Sequence, residues 1–396
     1  MVARLAGSST ATCIVRYAAM NFPRGLRIGY SPCSSSLAAP GDRRRFCHYA
    51  AQRNLRFEIA RPDEAYDIVV LTQATDISLW SRYPRTRGKI IFDFVDSYLA
   101  IPDHDPKALL RGIAKFATRQ NRRLLPNYKR GLEAMCRRAD AVVCSTESQR
   151  GQILPQCPNV HRILDFHSSV VRSAKSDYAA EEVFHFVWEG QPGNLRHLLE
   201  IKNALQDFEH TRPFRIHAIT DLEYGRFLGG RWIRRSTVEE ARRISPQIYL
   251  YAWNERTFSA IACSCDLALI PIPLDDPLAA GKPENRLLLF WRMGVPVLVS
   301  ATAAHVSAMD ESGMNMACTT RRQWLEALQY YTSNQAARKH AAQRGMAFVA
   351  ERHSEKHTLE LWDHVLGSVL SGEAANPRQP IDSFSQVSTS PTGANS

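Results

Sequence analysis

The chain has 396 residues, too many for one compact core, and its 44% hydrophobic and 22% charged content is that of a soluble globular protein. No run approaches the roughly 18 apolar residues of a membrane span, and nine scattered cysteines without a CxxC pair argue for reduced thiols rather than a disulfide framework or a zinc site. The formal net charge of +11 points to an anionic partner, whether nucleic acid, anionic lipid or a phosphorylated small molecule.

Residues 1–24 read as a poorly ordered extension, with apolar positions broken by Gly7, Ser8, Ser9 and Thr10 and no secretory signal. Strands are predicted at Leu26–Tyr30, Arg56–Ala60, Tyr66–Leu71, Lys89–Phe94, Ala139–Cys144 and Val160–Asp165. Each is short and apolar on both faces, the pattern of a parallel sheet covered by helices. Asp42 reads as the N-cap of the helix after the first strand. Residues 25–175 therefore form a doubly wound α/β domain with its site beyond the carboxyl ends of the strands, where the Ser31–Ser36 loop, Thr72 to Asp76, Asp93, Asp96 and Ser145 to Glu147 lie. Asp96 is placed to accept a proton or hold a sugar hydroxyl; the alternative is that Asp93 and Asp96 cap loop N–H groups.

Between Lys107 and Arg138 stand ten Lys or Arg and one acid, Glu133. Lys107, Arg111, Lys115 and Arg119 recur every four residues as one stripe of a helix, with Leu109, Leu110, Ile113, Phe116 and Ala117 opposite. The expectation is an apolar face in the core and a solvated basic face. The sharper alternative is that this stripe contacts an anionic membrane or a phosphate-bearing lipid. A nucleic-acid face is not expected, because aromatic residues are not interleaved with the charges.

The second domain, 176–370, has predicted strands at Val183–Trp188, Phe214–Ile219, Ile248–Ala252, Leu267–Ile272, Val295–Val299 and Met314–Cys318. The loop Glu189–Asn194 carries Gly190 and Gly193, Gly229–Arg243 reads as a basic helix, and Phe258–Cys265 as another helix. Helices run from Arg321 to about Leu370, and 371–396 reads as a disordered tail. Within the second domain, Cys265–Ser300 has the order strand, loop with Gly281 and Lys282, helix from Pro283, Gly294 stop and strand. A helix start of that kind can hold a phosphate on its free N–H groups. Asp103-His104-Asp105 and Asp275-Asp276 read as turns, His167 and His305 as solvated loop residues, and no G-x-G-x-x-G is present.

Three segments, DIVVLTQATDISLW with KIIFDFVDSYL, FHFVWEGQPGN, and CDLALIPIPLDDPLAAGKPENRLLLFWRMGVPVLVS, resemble the GT-B glycosyltransferases, in particular family 4-like bacterial enzymes that use nucleotide-diphosphate sugars. The resemblance spans about residues 26–370. It implies two doubly wound Rossmann-like domains facing a central cleft, and a cytoplasmic hexosyltransferase of polysaccharide or glycolipid synthesis that uses no metal and no other cofactor. A nucleotide-diphosphate sugar would sit at Gly190, Asn194, Arg196, Lys282, Glu284, Asn285 and Arg286, and a glycan or lipid-linked acceptor at Asp96. Where the family commonly carries two glutamates eight positions apart, this chain has Gly281 and Leu289. That departure keeps open a non-catalytic nucleotide-sugar-binding protein; a nucleotide-sugar 2-epimerase of the same architecture would need more acidic and histidine groups in the cleft.

Overall fold

The computed structural model describes residues 23, 25–102, 105–226 and 233–372. The extension, the Asp103-His104 pair, the first residues of the Gly229–Arg243 segment and the tail from 373 lie outside them.

The short apolar runs pair as one parallel sheet. Strands β1 (Ile28–Ser31), β2 (Glu58–Ile59), β3 (Ile68–Thr72), β4 (Lys89–Asp93), β5 (Ala141–Cys144) and β6 (Val160–Arg162) take the order β2-β1-β3-β4-β5-β6. Helices cover both faces, so β3 and β5 are buried along their whole length. The second parallel sheet holds β7 (Phe184–Glu189), β8 (Phe214–Thr220), β11 (Ile248–Ala252), β12 (Leu267–Ile270), β13 (Val297–Ser300) and β14 (Ala317–Cys318) in the order β11-β8-β7-β12-β13-β14. Between β8 and β11 lies an antiparallel hairpin, β9 (Glu223–Arg226) with β10 (Ile233–Ser236). The expected helix over Gly229–Arg243 is therefore wrong in its first part: residues 233–236 satisfy their backbone groups across the hairpin, and the helix begins at Thr237. Winding reverses between β1 and β3 and again between β7 and β12, and these switch points open a crevice at the carboxyl ends of each sheet. Among the described residues no helix is long and apolar enough to cross a membrane.

The helix Asn285–Arg292 starts two residues after Pro283, with Leu287 through Trp291 all buried. Gly294 ends it at φ 68°, a left-handed conformation that suits glycine. The helix Gln335–Arg352 crosses it at Gly345, where a Cβ would lie 2.6 Å from the Trp291 indole. Gly345→Ala is expected to destabilise by about 1–3 kcal/mol through overpacking, measured by urea unfolding; an unchanged midpoint would show that the helices can part freely. After it, the helix Glu355–Ser371 returns to the first sheet, burying Trp362, Val365 and Leu366 beside Tyr30 and Phe46. Asp363 there takes Arg53 Nη2 at 2.6 Å and the Tyr49 hydroxyl at 2.9 Å.

Several local expectations are overturned. Asp42 caps nothing; it lies inside the helix Pro40–Arg43, and its carboxylate accepts from the Tyr30 hydroxyl and the Cys33 and Ser34 N–H groups, which folds the Ser-rich loop inward. Asp93 pairs with the buried Arg45 rather than with loop N–H groups. His167 and His305 are buried, and His305 Nδ1 lies 2.9 Å from the Ser300 carbonyl oxygen. The helix Pro106–Ala117 is turned the opposite way from expectation: Leu110 is 61% exposed and Phe116 44%, while Arg111 sits 4.1 Å over the Tyr98 ring and Lys115 5.0 Å over Tyr128. Gly112 allows this, since a Cβ there would stand 2.0 Å from the Leu125 carbonyl oxygen. Arg119 lies beyond the helix at φ 59°, so the basic stripe does not reach it, and the Lys107 side chain is outside the described atoms.

Candidate functional site

Loops from the carboxyl ends of the two sheets meet. Asp96, three residues past β4, is clamped from both sides by Gln73: its Oδ2 accepts from Gln73 Nε2 at 2.9 Å, and its N–H donates to Gln73 Oε1 at 2.8 Å. Gln149 Nε2 donates to the Asp96 carbonyl oxygen at 3.2 Å. These contacts hold the carboxylate and fix its backbone, and the Tyr98 hydroxyl lies close enough to interact with the same carboxylate. The next residue, Ser97, donates its hydroxyl to the Gly281 carbonyl oxygen at 2.6 Å and ties the two loops together. A Cβ on Gly281 would lie 2.7 Å from Ser97 Cβ, so the close approach of the loops leaves no room for a side chain at that position. Leu289, the other departure, is buried in the core of the second domain.

Lys282 follows on the same loop, and its Nζ donates to Asn194 Oδ1 at 3.3 Å. Burial above all, with the nearby Arg286 and Arg196, lowers its pKa to about 8 against the opposing pull of Asp96 and Asp276. Lys282 and Asp96 thus interact across the gap between the domains. Arg286 is half-buried, and desolvation holds its pKa below the ordinary value, opposed by Glu189; its Nη1 donates to the Glu189 carbonyl oxygen at 2.9 Å. Gly190 sits against it, with a Cβ position 3.0 Å from Trp188 and 3.3 Å from Arg286 Nη1. Arg196 is exposed beside this group.

The remaining two expected donor residues point to the first domain. Glu284 is 2% exposed and pairs with Arg162; burial lifts its carboxyl above the ordinary range against the pull of that arginine. Its Oε2 has no hydrogen-bond partner among the described residues. Asn285 Oδ1 accepts from the Asp165 N–H at 3.1 Å. The structure therefore gathers Gly190, Asn194, Arg196, Lys282 and Arg286 on one side of the gap and Asp96 on the other. Glu284 and Asn285 join the domains just beneath. Among the described residues no cluster of three or more His, Cys, Asp or Glu side chains is placed to hold a metal ion.

Two features escaped the sequence reading. His197 is buried next to Lys282 and Arg286, with Nδ1 unpartnered among the described residues; burial and those two cations lower its pKa to about 4, so it is neutral. Its only sequence signal is adjacency to Arg196. The Arg43-Arg44-Arg45 run after β1 reaches the same cleft: Arg43 lies 4.4 Å over the Trp253 ring, just past β11, with Arg44 at 5.7 Å.

A cationic group beside the first turn of a helix, opposite a fixed carboxylate, suits a diphosphate on one side and a hydroxyl on the other. No family model matches the chain, and no curated protein matches it. Solved structures do. Anabaena HepE in complex with UDP superposes with a TM-score of 0.58 at 10% identity, over 87% of this chain and 100% of that one. Sucrose-phosphate synthase from Thermosynechococcus elongatus gives 0.53 at 10% identity, over 83% and 77%. S. aureus TarM gives 0.52 at 11% identity over 76% of this chain, which spans only 55% of the length of TarM. With two six-stranded parallel sheets whose strand ends face each other, the chain has the GT-B glycosyltransferase fold.

Proposed function

We propose that the protein is a glycosyltransferase that moves a hexosyl group from a nucleoside-diphosphate sugar to an acceptor hydroxyl, without a bound metal, in polysaccharide or glycolipid synthesis. The observation that carries this is the apposition of Lys282, Arg286, Asn194 and Gly190 to Asp96 at the switch points of both sheets. The UDP in the HepE and TarM structures, and the glucose with it in HepE, support a nucleotide-sugar donor. In this reading the acceptor oxygen bonds the anomeric carbon as the bond to the β-phosphate oxygen breaks. Lys282 and the first-turn N–H groups hold the charge gathering on the diphosphate, and Asp96 accepts the proton that the acceptor hydroxyl gives up. The eight described cysteines are all unpaired, which supports a reducing, cytoplasmic setting.

The test is release of nucleoside diphosphate from a panel of UDP-, GDP- and ADP-sugars. Asp96→Ala is expected to lower kcat/KM by about 100-fold or more while calorimetric donor affinity holds. A second reading, a binding protein without turnover, is favoured by one observation: Glu284, the acid in the donor loop, is taken by Arg162. Tight donor binding by the wild type with no release from any sugar in the panel would decide for that reading.

A further inference from the structure

We propose that the helix Pro106–Ala117 docks apolar face first onto an anionic membrane surface, with Leu110, Ile113 and Phe116 entering the headgroup–acyl boundary and the arginines that follow it meeting the headgroups. Leu110, Ile113, Ala114 and Ala117 stand at i, i+3, i+4 and i+7, and all are exposed, with Phe116 beside them. Leu124, in the next loop, is 48% exposed. Large apolar side chains exposed singly are ordinary, but a whole helical face turned to solvent is not.

The inward side of this helix is the charged one. Arg111 and Lys115 are stacked on Tyr98 and Tyr128, and Gly112 lets the backbone close on Leu125. A helix with Arg111 and Lys115 packed on tyrosine rings and Leu110, Ile113 and Phe116 outside is arranged for a non-aqueous neighbour.

Charge identifies that neighbour. Arg119, Arg122, Arg123 and Arg130 follow the apolar face, all exposed, and none has a side-chain partner among the described residues. The nearby Asp76 is committed, since its carboxylate accepts from the Ser78 and Arg122 backbone N–H groups. Arginines edging an apolar insertion match an anionic lipid surface. The helix also joins the candidate site: Tyr98, under Arg111, donates its N–H to the Asp96 carbonyl oxygen at 2.8 Å. On the functional reading proposed above, docking here brings a lipid-linked acceptor to Asp96; the docking itself does not depend on that reading.

The experiment is co-sedimentation of the full chain with phosphatidylcholine vesicles, with and without phosphatidylglycerol, and involves no donor or turnover. Binding is expected to be about tenfold or more tighter when phosphatidylglycerol is present. Leu110→Ser, Ile113→Ser and Phe116→Ser together should release the protein without moving its Tm, and Arg122→Glu with Arg123→Glu should abolish the lipid preference. Absence of the wild type from anionic vesicles, or full binding by the triple variant, would overturn the proposal. So would a dimer in light scattering that the triple variant converts to monomer, because the face would then belong to a second copy of this chain.

Discussion

Lys282→Ala is expected to lower kcat/KM for the donor by about 100- to 1000-fold, the usual effect of removing one preorganised donor to developing charge, without unfolding the chain. The side chain makes one long hydrogen bond, to Asn194, beside Arg286, Arg196 and His197; Asp96 and Asp276 act on it as opposing charges, but among the described residues neither forms an ion pair with it. Its charge is thus poorly compensated until a diphosphate arrives. The pH dependence follows from the lowered pKa: with a folded value of about 8, against an ordinary 10.5, the ammonium is present below pH 8 and is lost as pH rises through it. kcat/KM, which reports groups of the free enzyme, should therefore decline above about pH 8. Stability moves in the opposite sense. The unfolded chain holds this proton up to its ordinary pKa, so the folded state is penalised below pH 8 and regains that stability above it. Lys282→Met should lose the activity and gain thermal stability at neutral pH, a separation of function from stability that denaturation and initial-rate profiles would show together. A variant with wild-type kcat/KM through pH 8 would remove Lys282 from the site.

Arg45→Met should destabilise the protein by about 3–5 kcal/mol in urea unfolding, the largest stability effect expected of any single change here. Arg45 is 1% exposed, and its Nε and Nη2 fork onto Asp93 at 2.8 and 2.7 Å. Its Nη1 donates to Asp165 Oδ1 at 3.0 Å and to the Ile163 carbonyl oxygen at 3.1 Å. Burial works against this charge, but Asp93 and Asp165 outweigh it and hold the pKa above the ordinary arginine value. Methionine would fill the space and leave two carboxylates facing each other. Lysine should not rescue, since one ammonium cannot fork. Asp93→Asn added to Arg45→Met should restore part of the loss, and a loss below about 1 kcal/mol in the single variant would show that water enters and solvates the pair. Because the Asp165 N–H also holds Asn285, the single variant should weaken donor binding as well.

The sheets were legible because two-sided apolar runs such as IVVLT and AVVC have one stable use, the interior of a covered parallel sheet. Strand ends were less so. The apolar run Leu267–Ile272 carries its own stop in Pro271, which has no N–H for the ladder, so β12 ends at Ile270; what the run does not show is that the Ile272 N–H then turns to Ser300 Oγ at 2.8 Å, a partner 28 positions away. The candidate site was legible as a pair of loops, since Gly190 and Gly281-Lys282 each follow a strand. What those loops meet was not. Glu284 and Arg162 are 122 positions apart, and nothing local marks them as a pair. Gly281 stands where the family commonly carries a glutamate, and its sequence position does not show that Ser97, 184 positions away, closes onto it. The basic helix shows the same limit. Periodicity identifies two faces, but which one turns inward was decided by Tyr98, Tyr128 and Leu125, all outside the helix.

The return of the helix Glu355–Ser371 to the first sheet makes the polypeptide cross between the halves twice, once before β7 and once after Arg352. Two covalent tethers allow the halves to bend toward each other but resist a free swivel about a single linker. They also reverse an intuition about labelling: a fluorophore at Gly372 rides with the half that contains the first strand, so energy transfer from it to a dye on the helix Arg321–Ser333 would report opening and closing of the cleft.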